Sequence, residues 1–166
     1  MAKVSVPIPP QPYEVLIEAG LLGRAGAVLR ELLRPGARYF VITVPSVRKA
    51  WAEPLMNSLA AAELPAQILE MPEGESHKTF STVERLARKL VALGADRHSV
   101  LLAFGGGVVG DLTGFLASIY MRGIDYVQIP TTLLAQVDAS VGGKTGVNLR
   151  DGKNLIGRFH HPRAVL

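Results

Sequence analysis

Residues 99–111 read SVLLAFGGGVVGD. This stretch decides the fold. Val100, Leu101, Leu102, Ala103 and Phe104 follow one another without polar alternation, the pattern of a strand covered on both faces. Three glycines then turn the chain, and Val108 opens a segment with helical spacing that is predicted over 108–120. Gly105, Gly107 and Gly110 satisfy G-x-G-x-x-G between a strand and a helix. Without side chains the backbone N–H groups can approach a pyrophosphate, and the helix N-terminus favours its charge. The plain alternative is a tight strand-to-helix turn with no ligand. A standard dinucleotide fold places this turn after its first strand, whereas here it follows about the fourth. Asp125 lies at roughly the distance of the usual acidic partner, but before a strand and not at its end. The motif is therefore not a plain Rossmann fingerprint.

Working outward, strands alternate with helices. Strands are predicted over 13–18, 38–43, 66–71 and 126–129. Helices are predicted over 21–33, stopped by Pro35-Gly36; over 47–62, with Val47, Trp51, Leu55 and Leu59 on one face; over 79–93, closed by Gly94; and over 131–140. Residues 72–78 read as a polar loop. After Gly142 the pattern loosens into Gly-rich, polar loop, and 161–166 begins a further strand. This alternation specifies an α/β fold, a Rossmann-like, mainly parallel sheet with flanking helices. Residues 1–158 form the nucleotide-binding domain of this reading, and 159–166 start the connection to a C-terminal helical domain.

A chain of 166 residues is one domain with a core of real size. Aromatic residues make up only 6%, so that core rests on Val, Leu, Ile and Ala. The net charge of +4 is spread along the chain with no basic run interleaved with aromatics. It fits a pocket for an anionic small molecule better than nucleic acid. There is no Cys, which excludes disulfides, a thiol nucleophile and Cys-based zinc sites. Residues 1–12 are Pro-rich and lack an apolar signal core, and no apolar run reaches the length of a membrane span. The expectation is a soluble, cytoplasmic protein that binds neither membrane nor nucleic acid.

Three further segments carry candidate chemistry. Asp138-Ala139-Ser140-Val141-Gly142-Gly143-Lys144-Thr145 misses the phosphate-loop pattern at its first position. An NTPase reading fails because the segment does not follow a strand directly and because a carboxylate would repel the phosphate. An ordinary ion pair between Asp138 and Lys144 is the plain alternative. Yet Asp138, Lys144, Lys153 and Asn154 run through a Gly-rich stretch with little apolar content, as ligand-binding loops do. Pro72-Glu73-Gly74-Glu75-Ser76-His77-Lys78-Thr79 reads by itself as an exposed loop with a helix cap. His160 and His161 are adjacent, so on a strand they face opposite ways and do not form a metal pair.

In order and spacing, five segments resemble 3-dehydroquinate synthase. They are Gly105–Asp111, Tyr120-Met121-Arg122-Gly123, the run PTTLLAQVD from Pro130 to Asp138, Gly142-Gly143-Lys144-Thr145, and Gly152-Lys153-Asn154. The 72–79 loop is similar to the family's P-x-G-E-x-x-K segment. Iron-type alcohol and glycerol dehydrogenases share the fold with a similar GGG and PTT, but not the V-D-x-S-V-G-G-K-T run. The resemblance implies an enzyme that uses NAD and a divalent metal, zinc or cobalt. It converts 3-deoxy-D-arabino-heptulosonate 7-phosphate to 3-dehydroquinate and phosphate, a step of the shikimate route to aromatic amino acids. A hydroxyl is oxidised, phosphate is eliminated, the ketone is reduced again, and the ring opens and recloses.

Residue by residue, the resemblance implies cofactor contacts from Glu73, Gly74, Glu75, Ser76, His77 and Lys78. It implies others from Gly106, Gly107, Val108, Val109, Gly110 and Asp111 at the turn, and from Thr131, Thr132, Lys144 and Lys153. Arg122 resembles part of the substrate phosphate site, and Asp138, Lys144 and Asn154 resemble substrate contacts. The expected partner is an anionic sugar phosphate, and a homodimer is the assembly allowed for. Two departures stand out. The family usually places Asp after the second strand's Thr, to hold the adenosine ribose, and here Val44 follows Thr43. The family's metal ligands, a Glu and two His, lie in the C-terminal helical domain, and this chain reaches Leu166 before any of them. The chain itself is thus expected to hold no metal and to be inactive, with the metal in a full-length parent. A related sugar phosphate cyclase, a metal-dependent alcohol dehydrogenase and a non-catalytic nucleotide-binding module are the competing readings.

Overall fold

The computed structural model describes residues 1–9 and 12–166. Residues 10 and 11, within the Pro-rich 1–12 stretch that lacks an apolar signal core, thus lie outside the described residues. Seven strands form one sheet in the order β1-β2-β9-β6-β5-β3-β4 among the described residues. These strands are β1 (Ala2–Val6), β2 (Tyr13–Ile17), β3 (Tyr39–Thr43), β4 (Ala66–Glu70), β5 (Val100–Gly105), β6 (Asp125–Pro130) and β9 (Ala164–Val165). Only the β1–β2 pair is antiparallel. The helices are α1 (Ala25–Leu32), α2 (Pro45–Ala61), α3 (Phe80–Ala92) and α4 (Gly107–Ile119). The expected α/β architecture, a mainly parallel sheet with flanking helices, is the observed one.

The central strands are buried along their whole length because helices cover both faces. Alternate residues divide between two cores. Phe40, Ile42, Leu101 and Ala103 pack with Leu86 and Leu90 of α3 and Leu112 and Leu116 of α4. Tyr39, Val41, Leu102 and Phe104 pack with Leu29 of α1 and Leu55 and Leu59 of α2. From β3 the chain runs out to β4 and returns to β5 on the other side of β3. That reversal opens a crevice at the carboxyl ends of β3 and β5, where open α/β sheets bind ligands. Thr43 ties the two strand ends together, its hydroxyl donating to the Phe104 carbonyl at 2.7 Å.

Four segments differ from the sequence reading. The strand β1 was not expected; its apolar and polar residues do alternate, but all except Val6 are exposed, since it lies at the edge of the sheet. The first helix divides into a 3₁₀ turn, Leu21–Arg24, and the two-turn α1, because Gly23 weakens its start. The helix expected over 131–140 shrinks to 133–139, most of it a wide π-type turn, and its Leu133, Leu134 and Val137 are exposed. The stretch after Gly142 is no loop but an antiparallel hairpin, β7 (Lys144–Leu149) and β8 (Gly152–Phe159). Its glycines serve strand contact: Gly146 and Gly157 face each other, and a Cβ on Gly157 would lie 2.2 Å from the Thr145 carbonyl oxygen. The hairpin lies on α4, with Thr145 and Val147 turned inward. Residues 161–166 supply β9, seated between β2 and β6 within the sheet.

Candidate functional site at the carboxyl ends of the central strands

The site starts from the glycine turn. Gly106 precedes α4 with no side-chain cap. The amides of Gly107, Val108 and Val109 come before the first intrahelical bond, from Gly110 N–H to the Gly106 carbonyl at 3.0 Å. They therefore point outward as donors at the positive end of a helix of 13 residues. Thr132 and Ala139 close the turn from the other side. A Cβ on Gly106 would meet Thr132 Cγ2 at 3.2 Å, and one on Gly107 would meet Ala139 Cβ at 3.1 Å. Gly110 has a packing role: a Cβ there would lie 2.7 Å from Gln128 Oε1 on β6. Thr131 donates its backbone N–H to Gly105 at 3.0 Å, while its buried hydroxyl has no partner. Thr132 turns its hydroxyl to the Ala135 N–H at 3.2 Å.

Beside the turn, the 72–79 loop is far from the free surface loop that its sequence alone suggests. Lys78 is only 3% exposed, and its ammonium pairs with Asp111 of α4 and donates to Asn154 Oδ1 of β8 at 2.5 Å. Burial pushes the Asp111 carboxyl up, and the Lys78 ammonium pulls it back down in part. Glu75 accepts from the Asn148 side-chain amide at 2.7 Å. Gly74, Ser76 and His77 lie on the exposed side of this loop. Thr79 caps α3 by accepting the Thr82 N–H at 3.3 Å. Three segments far apart in sequence thus meet around one buried ammonium.

Val44, where an Asp was expected from the resemblance, sits ahead of α2 with its side chain in the core beside Met71. Another carboxylate serves that helix end. Glu73 reaches across from the loop and accepts the Ser46 N–H at 2.7 Å, which holds its carboxyl below the usual range.

Not every sequence candidate joins this cluster. Asp138, Lys144 and Lys153 are exposed. Among the described residues the ion pairs run elsewhere, so Asp138 and Lys144 are not joined. Arg122 lies at the other end of α4, about 20 Å from Gly107 by helix length. Its backbone is left-handed (φ 69), as is that of Met121 (φ 47). Neither residue is a glycine, so the turn is strained there. His160 stacks on Tyr126 and bonds the Ile124 carbonyl at 2.9 Å, so it serves packing. His161 stacks on Tyr13. No three His, Asp or Glu side chains converge as metal ligands among the described residues. A cleft of about 660 Å³ opens nearby, lined in part by Ile17, Trp51, Phe104, Pro130, Thr131 and Leu166. It shares Thr131 with the glycine turn, but Lys78 and Asp111 lie outside it. Sequence reading missed Asn148, a polar residue between apolar neighbours on a strand.

Residues 68–166 match the 3-dehydroquinate synthase N-terminal family. The chain belongs to that family. A 3-dehydroquinate synthase from Koribacter versatilis is 51% identical over the whole chain, and one from Rhodospirillum rubrum is 53% identical over 93% of it. The chain spans 45% and 40% of those two relatives, less than half of either. Among solved structures, a 2-deoxy-scyllo-inosose synthase complexed with carbaglucose-6-phosphate, NAD+ and Co2+ superposes with a TM-score of 0.89. It is 30% identical, covering 99% of this chain and 45% of that one. A 2-epi-5-epi-valiolone synthase from Streptomyces hygroscopicus, with NAD+ and Zn2+ bound, gives 0.84 at 35% identity, covering 97% of this chain and 44% of that one. An iron-containing alcohol dehydrogenase from Thermotoga maritima shares the fold, at 20% identity and a TM-score of 0.73 over 93% of this chain and 45% of that one. The fold thus extends beyond the 3-dehydroquinate synthase family. Among the described residues no helix is long and apolar enough to cross a membrane.

Proposed function

We propose that this chain is the nucleotide-binding part of a 3-dehydroquinate synthase, which converts 3-deoxy-D-arabino-heptulosonate 7-phosphate to 3-dehydroquinate and phosphate. The observation that carries the proposal is the uncapped start of α4 in the crevice between β3 and β5, flanked by the Lys78–Asp111–Asn154 cluster. The residues present fit NAD. The free amides of Gly107, Val108 and Val109 suit a diphosphate, the unpartnered Thr131 hydroxyl is ready to bond a ligand, and Glu73 and Glu75 offer acceptors for ribose hydroxyls. When bound, NAD supplies a hydride acceptor at its nicotinamide ring.

The chain's own residues would bind and orient. The buried Lys78 ammonium holds Asp111 and Asn154 in fixed positions, so their free lone pairs and protons are aimed before ligand arrives. Lys144 and Lys153, exposed on the hairpin, would supply charge to an anionic sugar phosphate, and Asp138 would accept from its hydroxyls. Arg122 stands at the wrong end of α4 for this site. It belongs to the substrate's phosphate contacts only if a second copy presents it, so a homodimer is part of the proposal. The metal, zinc or cobalt, would be held by residues outside this chain, and turnover would need the rest of a protein of the relatives' length.

Phosphate release tests the proposal. A protein of the relatives' length that carries this chain, given NAD, zinc and the heptulosonate phosphate, should release phosphate and form 3-dehydroquinate. Cyclisation of a different sugar phosphate with the heptulosonate untouched would favour another sugar phosphate cyclase, the activity class of two of the solved relatives.

A further inference from the structure

Asn148 lies in β7 but takes no regular part in its ladder. Val147 pairs with Ile156 and Leu149 with Gly152, so one residue on β7 faces Lys153, Asn154 and Leu155 on β8. The two extra residues bulge the strand outward, and Asn154 adopts a left-handed backbone (φ 55). Such a bulge leaves amides without ladder partners. Asn148 replaces them. Its side-chain carbonyl accepts the Asn154 N–H at 2.9 Å, and its side-chain amide donates to Glu75 Oε1 at 2.7 Å. Its backbone N–H donates to the Lys78 carbonyl at 2.8 Å.

We infer that Asn148 is a positioning residue, which holds the Asn154 bulge and the Glu75–Lys78 loop in one register so that Lys78, Asp111 and Asn154 meet. The inference rests on the nucleotide-site reading for its use, but its geometry stands independently. An amide is the side chain that the position demands, because it must accept on one side and donate on the other. Aspartate has nearly the same shape but cannot donate, and it would set a second carboxylate against Glu75. Alanine loses both bonds.

The test compares the 166-residue chain with Asn148→Asp and Asn148→Ala, by amide hydrogen exchange at residue 154, NAD titration and thermal melting. In Asn148→Ala the Asn154 amide should exchange about tenfold faster, the scale of one lost bond. In Asn148→Asp it should stay protected. NAD affinity should fall about tenfold in both folded variants. Unchanged exchange at Asn154 in folded Asn148→Ala would overturn the inference, as would wild-type NAD affinity in both variants. If Asn148→Ala does not fold, loss of NAD affinity in Asn148→Asp with Asn154 still protected supports it, and retained affinity overturns it. If the wild-type chain binds no NAD, the nucleotide reading falls, while exchange at Asn154 still decides whether Asn148 holds the bulge.

Discussion

Lys78 and Asp111 meet although they stand 33 residues apart, one in a loop after β4 and the other in the first turns of α4. Lys78 is nearly inaccessible and Asp111 about one-quarter exposed. An ammonium so buried must be paired, and it has both a carboxylate and the Asn154 amide oxygen. The contact fixes the loop against the glycine-turn helix and brings the hairpin to both.

Removing that ammonium should cost stability as well as binding. Lys78→Met leaves Asp111 without its partner and Asn154 without its donor. The expected loss is roughly 1.5–3 kcal/mol, the scale of a hydrogen bond to a charged group. The double variant Lys78→Met/Asp111→Asn should recover part of that loss, because no carboxylate is then left unpaired. Urea unfolding of both variants measures this; equal losses would mean that the orphaned Asp111 carboxylate costs nothing.

The glycine turn should tolerate no bulk. Gly107→Val places methyl groups where a diphosphate would lie and should abolish NAD binding, with the fold retained. Gly107→Ala, whose Cβ meets Ala139 at 3.1 Å, should bind NAD weakly. Calorimetry on folded variants checks both.

Lys144 is exposed, so Lys144→Ala should change stability within about ±0.5 kcal/mol. In a protein of the relatives' length it should lower turnover about tenfold to a hundredfold, the rate equivalent of a lost charge-assisted contact. Kinetics and thermal melts on one preparation separate the two effects.

His160 gives a pH signature. Burial holds its imidazole below the ordinary value of about 6.5, so the folded chain prefers it neutral. Its stabilising contribution is complete above pH 6.5. It is lost as pH falls from about 6.5 to the lower folded value, because the unfolded chain gains the proton first. Melting temperature should drop across that window in the wild type and drop less in His160→Gln.

Much of this was legible in the sequence. The unbroken apolar run of β5 and the glycines after it specify a buried strand and a tight turn wherever they occur, and α4 follows from them. The hairpin was hidden because its glycines, which allow β7 and β8 to approach closely, carry the same signature as a loop. Sequence also brought Lys78 forward only through resemblance, since a lysine in a polar loop gives no local sign that it will be buried. Asn148 acts through partners 6 and 73 residues away, and no local pattern records them. Arg122 shows the converse: near the glycine turn in sequence, it is set apart from it by the length of α4.

The central claim is that the start of α4 and the Lys78 loop form one nucleotide site. The most direct test is an NAD titration of the 166-residue chain followed by backbone amide shifts. Shifts should concentrate at Gly107, Val108 and Val109, at Glu75 to Lys78 and at Thr131, and vanish in Gly107→Val. Saturable NAD binding that leaves those amides unmoved, or that survives Gly107→Val at full affinity, would contradict it.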